Sequence, residues 1–502
     1  MNMIVRFFST PRASKRVFIL FMLAWVAFLA VQQGDNFDES EHAHDAWLMG
    51  CAGKRPYRDF FHINNPLLWD LLKTYYLAGG TGTSILYYGR ALVVLSALIF
   101  AYGLMTFAKR WSSGGRPSPS PNIFGISTIA FLSCLFPRLF VIRPEIAGVM
   151  FFTGSLILWI RPQGDSGMVK KHTNPLKDFL SGMFFGAAIY ASPRFIPLCG
   201  VFVLFPAETL TSLELNLKRL INLLLGCVVF IIGYTAVMGY SLSQLCFNIL
   251  FTIALGKVGD GYYGLVTKLL TVAAVVSLAL IWFWVITSRE ARRILSLQVA
   301  YFVVLVVLSY VLGAPFLYIQ VFFAPIIWLA LLLTHTVARI DQHAHRSIPL
   351  ATGLFSALCA IFILVSIHHN ITGKTTIIDS VRFKKKLLAF VDPSDKVLVR
   401  AALHPICVDD ASFYAMPMVD YENRLGTTVH MVKEKWGFDL PECNYLNDIV
   451  TQRPVLLDFM MVYILPRSDR SEFITILNRD YYPYPQFRDI GILKNRQAPD
   501  IR

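Results

Sequence analysis

Residues 35–62 gather most of the side chains in this sequence that could do chemistry together. Asp35, Asp38, Glu39, Glu41 and Asp45 form an acidic run, interleaved with His42 and His44 and followed by Arg58, Asp59 and His62. A carboxylate held beside a hydroxyl can take its proton. Carboxylates near a surface can also hold Mg or Mn, with Glu41 and His42 as candidate ligands, although no complete ligand set is legible. His42 and His44 stand two residues apart, so on a helix they diverge and do not share one ion. For Glu41 and Asp45 the plainer reading is helix capping beside a solvated loop.

Two short helices must position these groups. The first begins near Asp38, with Glu41 at capping-box spacing, and places Ala43, Ala46, Trp47 and Gly50 on one face. The second begins at Asn65-Pro66, with proline at the first helical position. Leu68, Leu71, Leu72, Tyr75 and Tyr76 give it an apolar face, and Gly79-Gly80 ends it. Both are too polar to span a membrane and too apolar to float, so they are expected on its outer surface.

The rest of the chain explains why a membrane is at issue. Its 502 residues are 55% hydrophobic and 16% charged, with a mean hydropathy of +0.54, whereas about a quarter of a soluble chain is charged. The missing charge falls in long apolar blocks. Blocks of roughly 20 residues cross a bilayer, and about eleven are expected, at 17–33, 84–108, 122–140, 144–160, 178–193, 195–209, 220–239, 264–287, 295–313, 317–335 and 349–367. The pair 178–193 and 195–209 also reads as one re-entrant hairpin. The basic N-terminal start resembles a signal peptide, but no small-residue cleavage site follows, so an uncleaved anchor is expected.

Lys and Arg fix the orientation. Arg6, Arg12, Lys15 and Arg16 precede the first block, and every even-numbered loop is basic, from Lys109-Arg110 to Arg339 and Arg346. The N-terminus and these loops are therefore expected in the cytoplasm. This also accounts for the net charge of +14, and no nucleic-acid partner is expected. The loop 34–83 and the tail then face outward. The tail 370–502 has ordinary soluble composition, with strands expected at 396–399 and 455–457 and a helix at 377–391. It reads as a small C-terminal α/β domain following a transmembrane module at 1–369. Cys407 and Cys443 both lie in it and could pair.

Particular residues carry a resemblance. An Asp-Glu pair stands just outside the first block (Asp38-Glu39). It is followed by Gly53 to Tyr57, Asp59-Phe60-Phe61, Pro66-Leu67-Leu68, and Arg143-Pro144-Glu145 in a later outer turn. In these the chain resembles the GT-C glycosyltransferases, specifically the family 39-like bacterial members akin to protein O-mannosyltransferases and the aminoarabinose transferase of lipid A. Ser40-Glu41-His42 is more acidic and His-rich than that pattern.

The resemblance implies a GT-C-like enzyme of the bacterial inner membrane. Such enzymes move a sugar from a polyprenyl-phosphate donor to a hydroxyl of a lipid, glycan or protein acceptor on the outer face, with inversion. It makes Asp38 the candidate base with Glu39 as its helper. Arg58, Arg143, Arg194 and Lys257 are the outward cations that could neutralise the departing phosphate. Asp59, His62, Glu145, Tyr318 and Gln320 are candidates for sugar or acceptor contact. Membrane lipids are the remaining partners.

Three other readings compete. A flippase or transporter of lipid-linked sugars calls for polar residues deep in the spans, whereas here they cluster at the outer ends. An O-antigen ligase or polymerase would place its arginines in a large late outer loop, and here the large loop is the first. A non-catalytic assembly protein leaves the acidic loop unexplained.

Overall fold

The computed structural model describes residues 37–112, 141–159, 174–199, 213–243, 375–414 and 421–497, single positions excepted, together with residues 202 and 246 and a few positions between 24 and 34. The blocks at 122–140, 264–287, 295–313, 317–335 and 349–367 lie outside the described residues, as do most of 17–33 and the later part of 195–209. The count of about eleven spans is therefore not tested by the described residues.

Helices stand where four of the blocks are expected. Numbered along the chain, α1 is Phe37–Gly50, α2 Leu67–Leu77, α3 Ile85–Ser112, α4 Pro144–Trp159, α5 Pro175–Ala191 and α6 Leu213–Val237. Gly82–Phe100 and Leu217–Val237 are long and apolar enough to cross a membrane, while Pro144–Trp159 is apolar but shorter. Leu217, Ile221, Leu224, Val228 and Ile232, a stripe along α6, are 49–55% exposed. Such a stripe is unfavourable in water and favourable against lipid tails.

The opposite side of α6 packs on α5 through glycine. A Cβ at Gly182 would fall 1.9 Å from the Leu223 carbonyl oxygen, and one at Gly226 would fall 2.0 Å from that of Phe179. Small residues let the two backbones touch, which is where helix association in a bilayer draws its energy. At the end expected in the cytoplasm, Arg219 donates to Asp178 (3.2 Å) and to the Trp159 carbonyl (2.7 Å), tying α4, α5 and α6 together. Helix α5 ends at Ala191, and a tight 3-10 segment, Pro193–Leu198, follows it.

Helices α1 and α2 differ from the surface pair expected. Helix α1 is buried on nearly every side: Glu39, Ser40, Ala43, His44, Asp45 and Ala46 are all 0% exposed. Glu41 does not return to cap it but meets His62, because a tertiary partner outcompetes the local one. Helix α2 begins one residue later than the proline suggests, with Pro66 as the cap. Leu68, Leu72 and Tyr76 join Ala43 and Ala46 in one core.

The C-terminal segment is an α/β assembly. Helix α7, Ile377–Leu388, starts with a capping box between Thr376 and Asp379. The described strands are β1 (Lys396–Leu398), β2 (Asp409–Asp410), β3 (Leu456–Asp458), β4 (Tyr481–Pro483) and β5 (Ile492–Asn495). They form one sheet in the order β2-β1-β3-β5-β4. β1 runs parallel to β2 and β3, and β5 runs antiparallel to β3 and β4. Helices α8 (Tyr421–Trp436), α9 (Tyr445–Gln452), α10 (Met461–Ile464) and α11 (Arg470–Asp480) complete the segment. Cys407 is a free thiol, 3.7 Å from the Tyr76 hydroxyl, and does not pair with Cys443. The β2 edge docks on the first loop, where Phe61 donates its N–H to the Phe413 carbonyl (2.9 Å) and pairs as a bridge with Tyr414.

The glycine seam makes a direct prediction. Gly182→Ala and Gly226→Ala force two backbones apart, an overpacking that costs about 1–3 kcal/mol. Each should lower the thermal midpoint in detergent. Gly233→Ala, where an added Cβ meets nothing within 4 Å, should leave it unchanged.

Candidate active site

A 14-residue helix turns about 100° per residue, so neighbouring polar residues on α1 look in different directions. Asp38, Glu41, His42 and Asp45 share one stripe, Glu39 leaves from a second, and His44 from a third. Each direction has its own partners.

Asp38 forms an ion pair with Arg143, the residue before the proline that opens α4. The two side chains are 16% and 12% exposed, so solvent or a ligand reaches the pair. Glu39 is 0% exposed. Its Oε2 accepts from the Arg90 guanidinium (2.6 Å) and its Oε1 from the Ile142 N–H (2.8 Å). Arg90 also donates to the carbonyls of Ala30 (3.1 Å) and Gly34 (3.0 Å). One buried carboxylate thus joins α1, α3, the chain entering α1, and the turn that carries Arg143. Gly89, one residue from Arg90, lets that turn approach, since a Cβ there would sit 2.3 Å from the Ile142 side chain. The structure therefore brings together Asp38, Glu39 and Arg143 and adds Arg90. Sequence reasoning missed Arg90 because it counted as part of an apolar span. A lone arginine inside such a span is itself the signal, since it must find a partner.

The rest of the first stripe faces the loop before α2. His62 Nε2 lies 2.9 Å from Glu41 and 3.6 Å from Asp45. His62 Nδ1 lies 3.0 Å from the Asn64 backbone nitrogen, and His42 Nδ1 accepts the Trp69 indole N–H (3.1 Å), which leaves the His42 ring proton on Nε2. Burial lowers His62, but the facing carboxylates of Glu41 and Asp45 raise it to about 9, so its ring nitrogens hold protons. His42, Asp45 and His62 bring a ligand atom each within 4.8 Å of one another, but nitrogens that carry protons cannot also bind a cation. The cluster is built to hold protons. Burial pushes the Asp45 carboxyl up to about 7, against the opposing pull of His62, and neither of its oxygens has a hydrogen-bond partner.

The remaining candidates fall elsewhere. Arg58 is 62% exposed at its side chain and forks onto its neighbour Asp59, which also accepts the Arg55 N–H (2.8 Å). The two satisfy each other at the surface and are not gathered with Asp38 and Arg143. Glu145 is 2% exposed, in the first turn of α4. Arg194 lies in the Pro193–Leu198 segment, with its side chain outside the description. Lys257, Tyr318 and Gln320 lie outside the described residues. Two polar clusters were not anticipated. Asp70 on α2 accepts the hydroxyls of Tyr234 (2.5 Å) and Tyr240 (3.0 Å), tying α2 to the end of α6. His44 meets His404 and Asp410 of the C-terminal segment.

No protein-family model and no curated protein matches this chain. Among solved structures, the chain is similar to ArnT from Cupriavidus metallidurans, whose crystal structure is bound to undecaprenyl phosphate. The sequences are 11% identical, the likeness covers 97% of this chain and 96% of that one, and the TM-score is 0.56. The chain therefore shares the mostly helical fold of that structure, and two of its described helices are long and apolar enough to cross a membrane.

Proposed function

We propose that this chain is a membrane glycosyltransferase that moves a sugar from a polyprenyl-phosphate donor to an acceptor hydroxyl. The observation that carries this reading is the solvent-reachable pair of Asp38 and Arg143, in a fold shared with a protein whose structure holds undecaprenyl phosphate. A carboxylate and a guanidinium side by side are the two groups the reaction needs at one point.

In this mechanism the donor phosphate takes the Arg143 fork, which binds phosphate oxygens in pairs. Asp38, released from that cation, accepts the acceptor's hydroxyl proton. The acceptor oxygen bonds to the anomeric carbon as the bond from that carbon to the phosphate oxygen breaks. The pair of electrons leaves with polyprenyl phosphate, whose growing negative charge Arg143 offsets. A single in-line displacement inverts the anomeric centre. Glu39 does not touch substrate in this scheme. Through Arg90 and the Ile142 N–H it holds Asp38 and Arg143 at their spacing.

The basic even-numbered loops favour an orientation with the N-terminus in the cytoplasm of a bacterial inner membrane. Residues 1–369 then form the membrane module and 370–502 an extracytoplasmic domain. Ser468, exposed in that domain, reports on this. Ser468→Cys, in a background without Cys51 and Cys246, should react with an impermeant maleimide in spheroplasts. Labelling only after lysis would reverse the orientation and leave the site on the wrong side.

The chemistry is tested in membrane vesicles supplied with labelled polyprenyl-phosphate sugars. Asp38→Asn should cut turnover by about 10²- to 10⁴-fold, the range of a lost general base, with donor binding retained. Arg143→Ala should weaken undecaprenyl phosphate binding by about tenfold or more, with Arg143→Lys recovering only part of it. Full transfer by Asp38→Asn would remove the base assignment. Unchanged lipid-phosphate affinity in Arg143→Ala would remove the clamp.

A further inference from the structure

His44 lies six residues along α1 from Asp38 and is 0% exposed. Its Nδ1 is 2.6 Å from the Ile406 carbonyl oxygen and its Nε2 is 2.7 Å from Asp410 Oδ2. A carbonyl has no proton to give, so Nδ1 carries one and donates it. Burial alone would raise Asp410, but His44 and the hydrogen bonds from the His44 and His404 rings hold it well below the usual carboxylate range. Asp410 is thus ionised, and Nε2 of His44 also carries a proton. Both ring nitrogens of His44 thus face acceptors, which raises the imidazole above its ordinary value against the effect of burial.

His404 has the other role. Its Nδ1 accepts the Ile406 N–H (3.0 Å), which leaves its ring proton on Nε2, 3.2 Å from Asp410 Oδ1. Burial, then the neighbouring His44, push it down to about 4, so it is neutral. A divalent cation finds no lone pair on His404, whose Nε2 holds its ring proton. The other charges facing the cluster are Asp45, on α1, and Lys384, from α7. The Lys384 ammonium donates to the carbonyls of Ala402 (3.0 Å) and His404 (2.9 Å). One residue away, Lys54 of the first loop pairs with Asp409 at 2.5 Å.

We propose that Asp410, acting through His44, is a positioning residue: the segment 404–414 clasps α1 from the C-terminal side and fixes the rotation at which the helix presents Asp38 and Glu39. Among the described contacts, the Asp38, Glu41 and Glu39 sides of α1 are held by the membrane module and its first loop. The His44 side is held by the C-terminal segment, through the Asp410 carboxylate and the Ile406 carbonyl. The consequence for transfer rests on the glycosyltransferase reading above, whereas the clasp itself does not.

The clasp has a pH signature. Burial lowers His44, but the Asp410 charge, its hydrogen bond and the Ile406 carbonyl together raise it above its ordinary value. A raised histidine contributes fully below its unfolded value of about 6.5 and loses that contribution as pH climbs through the higher folded value. Asp410 is depressed, so its contribution holds from about pH 4 upward and is lost only in stronger acid. The clasp should therefore open on the alkaline side.

The test uses the full chain in lipid nanodiscs. Amide hydrogen exchange over residues 37–50, corrected for the intrinsic rate, should be about tenfold faster in Asp410→Asn than in the parent at pH 7. The two should converge at alkaline pH, and Asp410→Glu should restore part of the protection. In the 15N spectrum of histidine-labelled protein, His44→Gln should remove one doubly protonated ring at pH 7. Transfer from labelled polyprenyl-phosphate sugars should show a turnover loss of about tenfold in Asp410→Asn, with the donor KM within about twofold. Should Asp410→Asn fail to fold, His44→Gln gives the same exchange readout. Faster α1 exchange in protein that never transfers sugar would support the clasp and sink the transferase reading. Unchanged α1 exchange in Asp410→Asn, or no doubly protonated histidine, would overturn the clasp even in an active enzyme.

Discussion

Glu39 and Arg90 meet at 2.6 Å with side chains 0% and 4% exposed, and the geometry of the candidate site depends on that contact. Taking two charges out of solvent costs several kcal/mol per ion unless every lone pair and proton finds a partner. Here the remaining partners are backbone groups: the Ile142 N–H, and the carbonyls of Ala30 and Gly34. These belong to separate stretches of chain, so the contacts form together only when all of them are assembled. A buried ion pair of this kind adds little net stability. Its effect is to make one arrangement of the first outer helix much better than its neighbours.

The adjacent pair is built for the opposite purpose. Asp38 and Arg143 are one residue along from Glu39 and from Ile142, yet both stay partly reachable. A turn of about 100° per residue separates the two carboxylates into different surroundings. One is locked by the buried Arg90 guanidinium and the Ile142 N–H, and the other faces a cation that a phosphate could claim. Two neighbouring acids thus divide fixed architecture from exchangeable chemistry, and the first holds the partner of the second in place.

Local patterns made part of this legible. Asp38, Glu39 and Arg143 stand out through the motifs that carry the family resemblance. The strand expected at 396–399 appears as Lys396–Leu398, and the helix expected at 377–391 appears as Ile377–Leu388. Local patterns failed where a distant partner decides the outcome. The spacing of Asp38 and Glu41 fits a capping box, but Arg143 and His62 hold the two carboxylates instead. Arg90 is hidden by the hydropathy of its own span. Asp410 lies 366 residues from His44, and no periodicity within either segment hints that they touch. Arg58, placed among the phosphate ligands because it should face outward, takes the nearest carboxylate on its own loop. An exposed arginine with an adjacent aspartate gains little from reaching further.

These observations bear on why a membrane module would need a C-terminal α/β segment. A helix that carries catalytic carboxylates near a bilayer surface has polar groups on all sides. Lipid cannot solvate them, and water admitted freely would compete with the acceptor for the donor sugar. The polarity must come from protein. The membrane module answers Glu39 with Arg90 and the first loop answers Glu41 with His62, whereas among the described residues His44 receives its carbonyl and carboxylate from residues 406 and 410. The docked edge also carries Phe413 and Tyr414 onto Phe61, which shields the same side with apolar surface. In physical terms the C-terminal segment is the missing solvent of α1, and without it the His44 side of that helix would have no favourable environment in which to hold still.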